Sequence, residues 1–301
     1  MLTVVIPSYN HVDYISESLQ AALSIDVPGL KVLVIDDGST DGSVAKVSAL
    51  IEQLGVQDKV SVVAKANGGL VSSLNLALTL IDTEFCWIVA SDDILVPQGV
   101  KELCQRMATN PALGFILGGG RYFYENGVAG PIYKESHRRF FDLEESRRAR
   151  EIFTDFPSPI LLQSSAFRVR ALKEVGGWDP ALKWDDYPMF VKLLNRYPGK
   201  GREFDFAPEV DCVRYRQHPN NTYKNIAGQY FMVRQTMQAL APADVRSKAI
   251  SRALAFYMLL SLKSRNADSL SRMLRASGFF EIASGLKNMP IVALKYLLGR
   301  I

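Results

Sequence analysis

The chain has 301 residues, of which 48% are apolar and 22% charged, with a formal net charge of +4. That is enough apolar material for one large or two smaller globular domains, and the near-neutral balance gives no reason to expect a nucleic-acid partner. Cys86, Cys104 and Cys212 are odd in number, far apart and free of metal-type spacing, which speaks against a disulfide framework or zinc site and fits a reducing cytoplasm.

The apolar opening Leu2-Thr3-Val4-Val5-Ile6 lacks a basic flank and reads as a first strand, not a secretory leader. Apolar periodicity then predicts strands over 2–7, 31–35, 60–64 and 85–90, alternating with helices over 12–24, 41–54, 70–81 and 97–108. Such alternation gives a mostly parallel α/β sheet flanked by helices, with ligands bound beyond the carboxyl ends of its strands. Gly118-Gly119-Gly120 marks the point where the pattern turns irregular. The basic runs His137-Arg138-Arg139 and Arg147-Arg148-Ala149-Arg150 that follow read first as a solvated helix face, with a phosphate-binding patch as the alternative. A short strand is predicted near 163–168, helices near 170–175 and 186–196, and helices from about 225 onward, with Pro242 and Pro290 as breaks.

Charge is unevenly spread. Residues 245–301 carry ten Lys/Arg against Asp268 and Glu281, a balance of +8 that leaves −4 for the first 244. Their longest uncharged apolar run, Ala253 to Leu262, is half of the roughly 20 residues needed to span a bilayer, so a peripheral membrane contact or a homo-oligomer interface is expected there instead.

Three polar segments fall at predicted strand ends: Pro7-Ser8-Tyr9-Asn10, Asp36-Asp37-Gly38-Ser39 and Asp92-Asp93. The third ends an apolar run on two adjacent carboxylates. Two like charges near an apolar strand need a cation, and a divalent ion carrying a diphosphate is a natural one. An exposed turn or helix cap is the plain alternative.

Taken in order, Val5-Ile6-Pro7-Ser8-Tyr9-Asn10, Val34-Ile35-Asp36-Asp37-Gly38-Ser39-Thr40-Asp41, Asn67-Gly68-Gly69, Ser91-Asp92-Asp93, Gly176-Gly177-Trp178-Asp179 and Trp184-Asp185-Asp186-Tyr187 resemble glycosyltransferase family 2, whose fold is GT-A. The resemblance covers residues 2–225 and divides the chain into a GT-A domain, 1–225, and a basic helical region, 226–301. Within the first, 1–117 would form the nucleotide-binding half and 118–225 the acceptor-binding half. It implies an inverting enzyme that moves a sugar from a nucleotide-sugar, a UDP-sugar by preference, to a hydroxyl of a glycan or lipid-linked glycan. Bacterial surface polysaccharide assembly at the inner face of the cell membrane would suit it.

The same resemblance assigns residues. Pro7, Tyr9, Asn10, Asp37, Asn67 and Asp92 would meet the nucleotide; Asp93, with His218, would hold Mn²⁺ or Mg²⁺; Asp186 would be the base that deprotonates the acceptor. Asp185, Trp184, Trp178 and Arg216 would line the sugars, and Arg214 to Thr222 would close over the diphosphate. Ala90 stands where many relatives carry an acid. That keeps open a non-catalytic sugar-nucleotide-binding scaffold, and a nucleotidyltransferase is a further alternative. A dinucleotide-dependent oxidoreductase is disfavoured, because no G-x-G-x-x-G follows the first strand.

Overall fold

The structure is a computed structural model that describes residues 1–218 and 225–297. By internal contacts it forms two units, one of residues 1–134 and 159–217 and one of residues 135–158 and 218–301. These units do not follow a boundary at 225, because the segment 135–158 groups with the C-terminal helices.

The first unit is built on a sheet of nine strands among the described residues: β1 (Leu2–Ser8), β2 (Lys31–Asp36), β3 (Val60–Ala64), β4 (Phe85–Ile88), β5 (Ile94–Leu95), β6 (Phe115–Tyr124), β7 (Gly127–Pro131), β8 (Ser165–Arg168) and β9 (Phe204–Arg216). Their order is β3-β2-β1-β4-β8-β6-β9-β5, with β7 paired to β6. The run β3-β2-β1-β4 is parallel. β8 then pairs antiparallel with both β4 and β6, and β9 returns parallel to β6.

The helices of this unit are α1 (Ile15–Leu23), α2 (Ser43–Leu54), α3 (Leu70–Leu80), α4 (Pro97–Thr109), α7 (Val169–Glu174) and α8 (Asp186–Arg196), while α5 (Glu135–Phe141) and α6 (Glu145–Thr154) belong to the second unit. Period-2 alternation explains their placement. Leu2, Val4 and Ile6 of β1 and Val32 and Val34 of β2 join α1, α2 and α4 in one core. Val5, Cys86 and Ile88 turn the other way, toward Leu74 and Leu78 of α3 and Leu172 of α7. A second set of rings, Phe115, Phe167, Phe190 and Phe204, locks β6, β8 and β9 to α8 with centroids 5.2–6.4 Å apart.

The triple glycine lies within β6 and does not end the order. β6 and β9 shift register at Gly118–Gly119 and again at Gly119–Gly120, where β9 bulges inward. A Cβ on Gly119 would lie 2.2 Å from the Pro208 carbonyl oxygen, so only glycine admits this approach. The strand expected at 85–90 stops at Ile88, and a long strand not marked by the alternation, β9, runs over Phe204–Arg216.

In the second unit α5 and α6 accompany α9 (Ile226–Leu240), α10 (Ala243–Lys263), α11 (Ala267–Ala276) and α12 (Phe279–Leu297). Its core centres on Ala227, Tyr230, Leu254, Met258 and Met273. Pro242 does precede a helix start, at α10, but Pro290 lies inside α12 and does not break it. Tertiary contacts, Val292 buried and Gly285 against Leu254, hold the helix on both sides of the lost backbone hydrogen bond. Nor are the basic runs one solvated face. His137 and Arg148 are buried, and the Arg148 guanidinium donates to the Phe141 and Leu143 carbonyls, capping the turn between α5 and α6.

Replacing Gly119 by alanine is expected to lower unfolding stability by about 1–3 kcal/mol, because the bulged β9 backbone cannot yield without losing ladder hydrogen bonds. Chemical denaturation of Gly119→Ala beside Gly130→Ala, which faces open space, measures it.

Candidate active site

The polar segments gather at the carboxyl ends of β1, β2 and β4, and hydrogen bonds tie one to the next. Asn10 adopts a left-handed conformation, φ 53°, which asparagine tolerates. Its Oδ1 accepts from the Thr40 N–H at 2.9 Å, and its own N–H donates to Ser39 Oγ at 2.8 Å. The Val12 N–H donates to Asp41 Oδ2 at 2.8 Å, and His11 Nδ1 shares a 2.8 Å hydrogen bond with Ser91 Oγ. The loop after β1 is thereby stapled to those after β2 and β4. Pro7 is buried in the β1–β2 ladder opposite Ile35, whereas Tyr9 is exposed on the rim. The Ser8 hydroxyl, buried between them, has no hydrogen-bond partner among the described residues.

Asp36 and Asp37 divide the work at the next strand end. Asp36 accepts from the Gly38 and Ser39 N–H groups and the Ser39 hydroxyl, which makes the turn. Asp37 accepts from Lys65 Nζ and from the Gly68 and Gly69 N–H groups at 2.9 and 2.8 Å. Burial works against its charge, but these donors outweigh burial and hold the carboxyl below the usual aspartate range. Asn67 is exposed, and its backbone packs so close to Gly38 (φ 80°) that a Cβ there would lie 2.9 Å from the Asn67 nitrogen.

The two carboxylates after β4 differ sharply. Asp93 is buried, with the Arg216 N–H donating to Oδ1 at 2.8 Å and the Gln163 amide donating to Oδ2 at 3.0 Å. Burial first, then the neighbouring Asp92 charge, pushes its carboxyl well above the ordinary value. Asp92 is half-buried, and its carbonyl accepts from Arg216 Nε at 2.7 Å. The metal role assigned to Asp93 therefore meets a carboxylate whose two oxygens are both engaged, and Asp92 is the more open of the pair.

Arg216 is committed too. Its guanidinium pairs with Glu17 and stacks over Tyr14 and Phe123, 5.1 and 4.8 Å from the ring centroids. It clamps β9 to α1 and to the acidic loop, a framework task in place of the expected sugar contact. Among the described residues no group of three or more His, Cys, Asp or Glu side chains converges on a point. A divalent ion that keeps waters and takes substrate phosphate oxygens needs only one or two carboxylates, and the half-buried Asp92 suits it. His218 is buried in the second unit, and residues 219–222 of the segment expected to close over the diphosphate lie outside the described residues.

The second acidic pair opens α8, with Asp185 at its N-cap and Asp186 in its first turn. Both are half-buried. The Leu162 N–H donates to Asp186 Oδ1 at 2.8 Å. Burial, the Asp185 charge and, more weakly, the Asp93 charge push the Asp186 carboxyl well above the ordinary range, which places both acidic pairs in one field. A short 3-10 turn, Leu162–Ser164, joins them: Leu162 holds Asp186, and the next residue, Gln163, holds Asp93. Trp87 Nε1 fixes the turn from below by donating to the Gln163 carbonyl at 2.9 Å.

Trp178 is not a sugar platform. It is buried, its Nε1 donates to the Asp185 carbonyl at 3.2 Å, and its backbone exchanges two hydrogen bonds with the Asn75 side chain. Trp184 is half-buried and stacks on Tyr187 with centroids 4.6 Å apart. Gln163, Lys65 and Asn75 escape a motif reading. The signal for Gln163 was a lone amide after the apolar run Ile160 to Leu162.

Burial raises the Asp185 carboxyl from 3.8 to about 6. The folded chain thus holds this proton more tightly than the unfolded one. The stability it provides is complete below pH 3.8 and is lost as pH rises to about 6. Asp185→Asn is expected to melt like the parent at the acid end and to be more stable above pH 6, by about 1–3 kcal/mol after solvent screening. Melting curves across that window read the difference.

The family model "Glycosyl transferase family 2" matches residues 3–171, more than half of the chain. A chondroitin synthase of Pasteurella multocida is 34% identical over 104 residues, 35% of this chain and 10% of that protein. An uncharacterised glycosyltransferase of Rickettsia typhi is 24% identical over 200 residues, 64% of this chain and 58% of its own length. Among solved structures, S. aureus TarS 1-349 in complex with UDP-GlcNAc superposes with a TM-score of 0.64 at 18% identity, covering 99% of this chain and 92% of that one. The Pyrobaculum calidifontis mannosyltransferase PcManGT, in complex with GDP-Man and Mn²⁺, gives 0.57 at 18% identity over 98% and 86%. The fold is GT-A, and this chain belongs to glycosyltransferase family 2.

Proposed function

We propose that the chain is an inverting transferase that moves a sugar from a nucleoside-diphosphate donor, a UDP-sugar by preference, to a hydroxyl of a glycan or lipid-linked glycan. One observation carries the reading: the acidic pair after β4 and the acidic pair opening α8 are held in one site by consecutive residues of a single turn. Support for a nucleotide-sugar donor comes from the UDP-GlcNAc and GDP-Man complexes of similarly folded proteins, and for polysaccharide assembly from the poly-β-1,6-N-acetyl-D-glucosamine synthase of Staphylococcus epidermidis, 21% identical over 193 residues.

In this reading the nucleobase lies against the exposed Tyr9 ring, with Asp37, Asn67 and the Asn10 turn at its edge and Pro7 fixing the strand beneath. Asp92 would hold a divalent ion, Mn²⁺ or Mg²⁺. Bound there, the ion would neutralise charge on the departing nucleoside diphosphate. Asp93 shapes the loop that presents Asp92.

Asp186 is the base. Its raised affinity for a proton suits it to take one from the acceptor hydroxyl while that oxygen bonds to the anomeric carbon. The bond from that carbon to the diphosphate oxygen breaks on the opposite face, and its electron pair leaves with the nucleoside diphosphate. Configuration inverts in the single displacement. Asp185 keeps the local field acidic, and Trp184 borders the acceptor. Residues 1–225 would make up the transferase domain.

Ala90 favours a second reading, a donor-binding subunit without turnover, since an acid is missing from the loop that ends at Asp93. Donor turnover separates the two. Asp186→Asn is expected to bind a stabilising nucleotide-sugar with unchanged affinity in calorimetry while its kcat falls by about 10² to 10⁴. If the parent protein binds donor yet transfers and hydrolyses nothing across acceptor panels, the binding-subunit reading replaces the transferase.

A further inference from the structure

We infer that α12 is a docking surface for an anionic lipid bilayer. The inference rests on the second unit alone and is independent of the transferase reading. α12 carries two apolar faces. One packs inward, through Val292 buried and Ile282 and Met289 against the unit's core. The other is open to solvent: Phe279, Phe280, Leu286, Ile291, Leu294 and Leu297 are 52–85% exposed.

At about 100° per residue these six fall within an arc of roughly 140°, and the stripe runs the whole helix, about 28 Å. A soluble surface rarely leaves so long an apolar stripe uncovered. Among the described residues no helix is long and apolar enough to cross a membrane, so the stripe fits a helix lying on a bilayer.

Charge selects the occupant. The single acid of α12, Glu281, is bound to Arg234, and the one acid of α11, Asp268, lies 3.8 Å from Arg272. Lys287 projects from the exposed arc itself, and the surrounding segment 245–301 carries +8. A second copy docked through this face would set those cations against themselves. Anionic headgroups would neutralise them while the acyl boundary takes the phenylalanine and leucine side chains, and the Lys287 stem is long enough to reach headgroup level.

Flotation of the full chain on vesicles of phosphatidylcholine alone, and of phosphatidylcholine with phosphatidylglycerol, tests this. The protein should be enriched on the anionic vesicles by about tenfold or more. Ile291→Asp with Leu294→Asp should remove at least about tenfold of that binding, since burial of either side chain alone favours the bound state by more than this. Lys287→Glu should lower only the preference for anionic over neutral vesicles, roughly fivefold or more. Both variants alter exposed side chains, and unchanged melting confirms that they fold. No enrichment on either vesicle overturns the proposal. So does a concentration-dependent doubling of solution mass that the double aspartate variant abolishes without any flotation, which would make a second copy the cover.

Discussion

The architecture of the site depends on one buried carboxylate. Asp93 lies in the loop between β4 and β5 with no solvent to stabilise its charge, and an unpaired group there would cost several kcal/mol. Two donors from distant parts of the chain satisfy it, the Arg216 N–H at the end of β9 and the Gln163 amide before β8. Their geometry therefore fixes three strand ends relative to one another. Arg216 extends the constraint by reaching the Asp92 carbonyl, Glu17 and two aromatic faces, so the loop that carries Asp92 has little freedom to move. The acid that does not touch substrate in this account makes the neighbouring acid usable.

The same economy operates around Asp186. Four carboxylates in one field are unfavourable, and burial drives three of them toward protonation. Among the described residues no lysine or arginine side chain pairs with Asp186; a backbone N–H does. A divalent ion would relieve that crowding of carboxylates, and an acid held neutral too readily is suited to move protons. Asp37 shows the contrasting solution, a buried carboxylate kept ionised by Lys65 and two backbone N–H groups.

Much of the fold was legible because β1, β2 and β3 and the helices between them obey simple periodicities, and the polar strand ends follow from them. Legibility failed where tertiary contacts overrule local pattern. Gly118 to Gly120 look like a break but let β9 pass at a distance no side chain would allow. Pro290 looks like a stop, yet packing carries α12 through it. Arg216 and Trp178 look like ligand contacts, yet both are spent on neighbouring loops. Asp92 and Asp93 cannot be told apart by sequence, since adjacent acids differ only in which way the backbone turns them.

The most direct measurement compares Asp92→Asn with Asp93→Asn by titration calorimetry of nucleotide-sugar with and without Mn²⁺, alongside denaturation of each protein. The account predicts that Asp92→Asn keeps its stability and loses the metal-dependent part of donor affinity. It predicts that Asp93→Asn loses stability first, because an asparagine side chain offers one acceptor where two donors must be met. The reverse pattern, with Asp93→Asn stable and blind to metal while Asp92→Asn binds normally, would contradict it.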